Sequence, residues 1–232
     1  AVPRFLGDQL SNFWQDRTNP KGLWRRTSVQ SFATDAPVWE TLLDLDALAK
    51  AEGRDWVFKG VSCLPPAENL CLISLSDGGK DAVVVREFDV ATKSFVDGGF
   101  VIPEGKHRIS WLHNNALLVA TDFGEGSLTE SGYPFMVKVL NRGETLDKAT
   151  EVYRGEQSDG GYGVSPIVMR KVDGSVEAVL FSRPLDTFRS QIWAYDENGK
   201  PWQLQLPERV SIQGMLDGNL IFSLDQDWTF DG

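Results

Sequence analysis

A chain of 232 residues, 41% hydrophobic and 24% charged, is long enough to bury a sizeable core and has an ordinary globular balance. No apolar run approaches the roughly 18 residues that cross a bilayer, so a membrane helix is excluded, and Ala1–Phe5 lacks the basic-then-apolar pattern of a secretory signal. A net charge of −10 spread along the chain without any basic stripe argues against nucleic acid as a partner.

In chain order, residues 1–22 form an entry segment ahead of the first patterned strands. Leu23–Phe32 and Val38–Leu43 read as the last two strands of a sheet unit, followed by a helical turn over Ala47–Glu52, capped by Asp46 and stopped by Gly53. Three four-strand units then follow. The first holds Trp56–Cys63, Asn69–Ser76, Ala82–Val90 and Ser94–Phe100, the second Arg108–Leu112, Ala116–Phe123, Phe135–Asn141 and Thr150–Arg154. The third holds Val164–Lys171, Val176–Arg183, Gln191–Asp196 and Pro201–Leu206. Turn chemistry marks the breaks: Ser76-Asp77-Gly78-Gly79, His113-Asn114-Asn115, Val172-Asp173-Gly174-Ser175 and Glu197-Asn198-Gly199-Lys200. Val210–Met215 and Asn219–Leu224 open a further unit.

The units recur about every 45–60 residues, the period of propeller blades. Leu70-Cys71-Leu72-Ile73 and Ala178-Val179-Leu180-Phe181 are apolar on both faces, as strands are when sheets cover them from both sides. Small residues on the innermost strands (Gly60, Ser62, Ser110, Gly163, Ser165, Ser211, Gly214) suit the narrowing between converging blades. The expected fold is therefore all-β: a partial β-propeller, one domain over residues 23–232, with three whole blades and two half-blades. The halves can pair, Asn219–Leu224 beside Leu23–Phe32, closing a four-bladed ring. The alternative is an open arc with its edges blunted by an edge-mediated dimer.

The segment Phe13-Trp14-Gln15-Asp16-Arg17-Thr18-Asn19-Pro20-Lys21-Gly22-Leu23-Trp24-Arg25-Arg26-Thr27 is distinctive. With Pro37–Asp46, Trp56–Gly60, Ser74–Asp81, Val84–Asp89, Thr121-Asp122-Phe123-Gly124 and Ser131-Gly132-Tyr133-Pro134, it resembles the N-terminal propeller of bacterial prolyl oligopeptidase-family serine peptidases. The likeness is carried by motif from Phe13 to Pro134 and, beyond about Tyr153, by blade rhythm. It implies a parent serine peptidase in which a propeller gates short peptides into an α/β-hydrolase domain. That domain carries a Gly-x-Ser-x-Gly elbow. Here Gly60-Val61-Ser62-Cys63-Leu64 and Gly163-Val164-Ser165-Pro166-Ile167 both lack the last glycine, so no catalytic residue transfers and the chain alone is expected to be inactive. Its expected partners are that hydrolase domain and short peptides. The alternative from another class is a free-standing propeller that binds a peptide or protein.

Other chemistry is thinly represented. His107 and His113 flank one strand without a triad motif, and read as surface or turn residues. Asp225–Gly232 lacks the glycine and oxygen ligand set of a calcium loop, and no metal or cofactor is called for. Ser76–Gly79 and Ser158–Gly161 resemble anion nests but suffice as turns. Of eight tryptophans, Trp24, Trp39, Trp56, Trp111 and Trp193 read as packing between blades, with Trp14 the outlier. Cys63 and Cys71 flank a hairpin turn and could face each other; the expectation is two buried free thiols. Low cysteine use points to the cytoplasm, with the periplasm as the alternative.

Overall fold

The computed structural model describes residues 2–196 and 199–229, and packs them as two compact units, Ala1–Gly105 and Lys106–Gly232. The Glu197–Lys200 turn and the Asp225–Gly232 tail fall partly outside the described residues.

In the first unit, β1 (Arg4–Leu6), β2 (Gln9–Trp14), β3 (Leu23–Ser28) and β4 (Glu40–Asp44) form one antiparallel sheet in the order β1-β2-β3-β4. The one-turn helix α1 (Val29–Phe32) joins β3 to β4, and α2 (Leu45–Glu52) leaves β4. The second sheet holds β5 (Trp56–Cys63), β6 (Leu70–Asp77), β7 (Val83–Asp89) and β8 (Ser94–Phe95), with β9 (Val101–Gly105) also on β7. The outermost strand expected over Ser94–Phe100 is thus split. Buried Glu87 lies at the break, where its carboxylate accepts the Phe100 N–H at 2.8 Å. Trp24, Leu43, Leu45, Ile73, Leu75 and Phe88 form the core of this unit, with Trp24 edge-on to Phe88.

In the second unit, β10 (Arg108–His113), β11 (Ala116–Ala120), β12 (Met136–Asn141) and β13 (Thr150–Arg154) form one meander. A second contains β14 (Ser165–Arg170), β15 (Val176–Pro184), β16 (Ser190–Tyr195) and β17 (Trp202–Gln203). A two-stranded sheet follows, β18 (Val210–Leu216) and β19 (Asn219–Leu224). Every residue of β11 is buried, as a strand covered on both faces requires. Leu118, Val137, Tyr153 and Phe181 belong to one core cluster.

Residues 1–22, expected as an entry segment ahead of the strands, supply β1 and β2, joined through Gly7 at φ +59°. The first sheet is therefore whole, and the described residues form three four-stranded sheets, one five-stranded sheet and one two-stranded sheet in place of three blades and two halves. Because β2 and β4 occupy both edges of β3, Leu23–Phe32 has no free edge for the expected pairing with Asn219–Leu224. The helix cap is also reassigned. Asp44, not Asp46, accepts the Ala47 N–H at 2.9 Å, while Gly53 ends α2 at φ +62° as expected.

The cysteines are not free thiols. The β5–β6 register sets Cys63 opposite Cys71 with Cα atoms 3.9 Å apart, and a disulfide joins them across eight residues. Closing so short a loop contributes about 2 kcal/mol. Reduction is expected to lower the urea midpoint of the chain accordingly, while a Cys63→Ala, Cys71→Ala double variant shows no response to dithiothreitol.

Candidate functional site

The distinctive Phe13–Thr27 segment proves to be architecture. Asp16 closes its loop by accepting the Thr18 and Asn19 N–H groups and the Trp14 indole N–H. The Asn19 amide and then the Trp14 indole hold its carboxyl below the usual range. Asp46 accepts from the Lys21 and Gly22 N–H groups, tying the loop to α2. The Arg25 guanidinium lies between the Trp14 and Trp39 rings, 4.4 Å from each centroid, and donates to Asn12 at 3.0 Å. These contacts explain why so unusual a run of residue types is needed, without invoking a ligand.

The second unit presents the more open chemistry. Its registers pair Arg108 with Ala120, Met136 with Arg154, Ser165 with Ser182, and Pro184 with Ser190. The approach to β10 and the connections 121–135 and 155–164 therefore gather at one end, with 185–189 reaching it through the Gly160 N–H bond to the Leu185 carbonyl. The first long connection is tightly braced. Ser127 Oγ accepts the Phe123 N–H and sits 2.9 Å from the Asp122 carboxylate, and the Thr129 N–H donates to the Tyr133 carbonyl. The second connection locks onto the first through Val164 N–H to the Pro134 carbonyl and Glu130 N–H to the Gln157 carbonyl. Gly163 is required at this crossing, since at φ +84° a Cβ would lie 2.6 Å from the Pro134 carbonyl oxygen.

On this frame Lys106, Tyr133, Tyr162 and Arg108 follow one another in a line of contacts. The Lys106 ammonium sits 4.3 Å over the Tyr133 ring, and Tyr133 meets Tyr162 edge-on at 5.6 Å. The Arg108 guanidinium returns to the Tyr162 carbonyl at 3.3 Å and also donates to the His107 carbonyl at 3.0 Å. Behind them Arg183 grips Asp159 with two parallel bonds of 2.8 and 2.7 Å in a largely buried pair. That carboxylate also accepts the Glu156 N–H, and its hydrogen bonds hold the Arg183 guanidinium firmly protonated. Beside it Tyr153 stacks on Phe181 at 4.9 Å, and burial pushes its phenol well above the ordinary value.

The residues weighed from sequence lie elsewhere. Ser62 is on β5 and Ser165 opens β14, both in propeller-type strands. His107 Nδ1 is 2.7 Å from Thr121 Oγ1, and His113 Nδ1 accepts the Asn115 N–H within its turn. The two nest-like turns donate to the protein itself: Gly78 N–H to the Asp55 carbonyl and Gly160 N–H to the Leu185 carbonyl. Trp24, Trp56 and Trp111 are buried, whereas Trp39 stacks on Arg25 and Trp14 is exposed. Sequence reasoning missed Lys106, Arg108 and Tyr162. The i, i+2 spacing of the two cations at a strand entry was the available signal, because alternate residues share a face.

Comparison with known proteins now bears on the frame. A family model described as the prolyl oligopeptidase N-terminal beta-propeller domain matches residues 2–165. The chain belongs to the prolyl oligopeptidase family. Its propeller is 46% identical to an uncharacterized peptidase of Sinorhizobium fredii, over 99% of this chain and 32% of that protein. It is 30% identical to an uncharacterized peptidase of Rickettsia prowazekii, over 94% of this chain and 32% of that one. Among solved structures, a post-proline cleaving enzyme from Rickettsia typhi superposes with a TM-score of 0.87 at 30% identity, over 97% of this chain and 34% of that chain. The propeller sequence thus spans about a third of the length of these relatives. Among the described residues, no helix is long and apolar enough to cross a membrane.

Proposed function

We propose that this chain is the non-catalytic propeller portion of a serine peptidase of the prolyl oligopeptidase type, gating peptide access to an α/β-hydrolase domain. The family match over residues 2–165 carries the reading. Two further observations support it. Neither Gly-x-Ser run completes a nucleophile elbow. The sheets are all antiparallel meanders among the described residues, with no βαβ unit to seat an exposed nucleophile. The braced loop end of the second unit, carrying Tyr133 and Tyr162, is the surface assigned to passing peptides.

The test has two arms. The chain by itself is expected to give no turnover of an internally quenched proline-containing peptide, and turnover surviving serine-directed inhibitor controls would overturn this. In the protein carrying a hydrolase domain, the same cleavage site is expected to be cut in a short peptide and spared in a folded protein. Equal cleavage of both would remove the gating role.

A further inference from the structure

We propose that Lys106, Arg108, Tyr133 and Tyr162 form a receptor for the C-terminal carboxylate of a short peptide. That the ligand is a peptide rests on the function proposed above; that it is an anion rests on the site alone. Both cations are half-buried, and among the described residues neither is in an ion pair, although the chain carries 33 acidic residues. Asp159 is taken by Arg183, and Glu130 and Glu156 are exposed on the two connections.

Hydrogen-bonding capacity points the same way. Of the five N–H donors of a guanidinium, Arg108 spends two, both on backbone carbonyls, leaving three. Among the described residues Lys106 donates no hydrogen bond; its ammonium rests on the Tyr133 face, which keeps the cation positioned while leaving its donors for a ligand. Both cations stand against the same tyrosine pair: Arg108 reaches the Tyr162 backbone, and the Tyr162 ring touches the ring under Lys106. A planar carboxylate matches a guanidinium fork beside a point charge. Tyr162, 57% exposed, offers an aromatic wall to the residue before that carboxylate. The Gly163 and Pro134 crossing fixes this wall at little entropic cost on binding.

The experiment uses the chain itself and isothermal titration with an N-acetylated Ala-Pro-Phe peptide, as the free acid and as its C-terminal amide. The acid is expected to bind at least tenfold more tightly, with the difference shrinking as salt is raised. Lys106→Gln, which breaks no hydrogen bond, is expected to remove most of that preference without altering the melting temperature. Arg108→Gln is expected to remove the preference as well, with a lower melting temperature because two bonds to backbone carbonyls are lost, and Tyr162→Ala to weaken acid and amide alike. Equal binding of acid and amide, or a preference that survives both glutamine variants, overturns the carboxylate receptor. If binding is equal yet falls with Tyr162→Ala, the peptide-facing reading stands while the receptor fails. If neither peptide binds, both fail.

Discussion

Replacing Arg183 by methionine is expected to destabilise the second unit by about 3–5 kcal/mol, the cost of leaving a buried charge without its partner. Arg183 and Asp159 are only 16% and 9% exposed at the side chain, so water does little to compensate the stranded carboxylate. The lost contact is also a specific one. Asp159 anchors the 155–164 connection through the Glu156 N–H, and its carboxylate fills the space where a Cβ on Gly155 would sit, at 2.7 Å. Arg183→Lys is expected to recover only a minor part, because an ammonium cannot reproduce two parallel bonds to one carboxylate. Urea denaturation followed by tryptophan fluorescence measures the loss. Amide hydrogen exchange should show its largest increase over residues 155–164. A change under 1 kcal/mol would mean that the pair is solvated in practice.

Trp24→Ala is the second large effect, expected to cost about 3–5 kcal/mol in the first unit. Trp24 is 1% exposed and packs edge-on to Phe88 at 5.6 Å, with Leu43, Leu45 and Leu75 in the same core. Truncation removes both the burial of a large ring and the aromatic contact, and the rigid strands on either side cannot collapse into the space. Trp24→Phe retains a ring and is expected to cost less than half as much. Thermal or urea unfolding distinguishes the two variants, and equal losses would show that volume at this site is unimportant.

Much of the sheet frame was legible from residue pattern. β6 and β15 stand where apolar runs without alternation required strands covered on both faces, and Gly53 ended α2 as a left-handed cap. The missed hairpin of β1 and β2 was the weaker signal. Arg4–Leu6 has only three residues, too few for a periodicity, and Gly7-Asp8 was the sole turn marker. Asp44 and Asp46 were indistinguishable as caps by residue type. The choice depended on which of them the Lys21–Gly22 backbone would claim. The candidate site was less legible still. Tyr133 lay in a recognised motif, but nothing local linked it to Lys106 upstream or to Tyr162 downstream.

Sequence alone determined most of the strand succession after Leu23, the all-β class and the family, because these follow from local polarity, turn chemistry and a long run of shared residues. Tertiary structure decided how the edges are satisfied, which cysteines meet, and which cations lack a carboxylate. Those are pairings between residues distant along the chain. Their energies depend on hydrogen-bond geometry and on exclusion of water, and only the packed sheets set these.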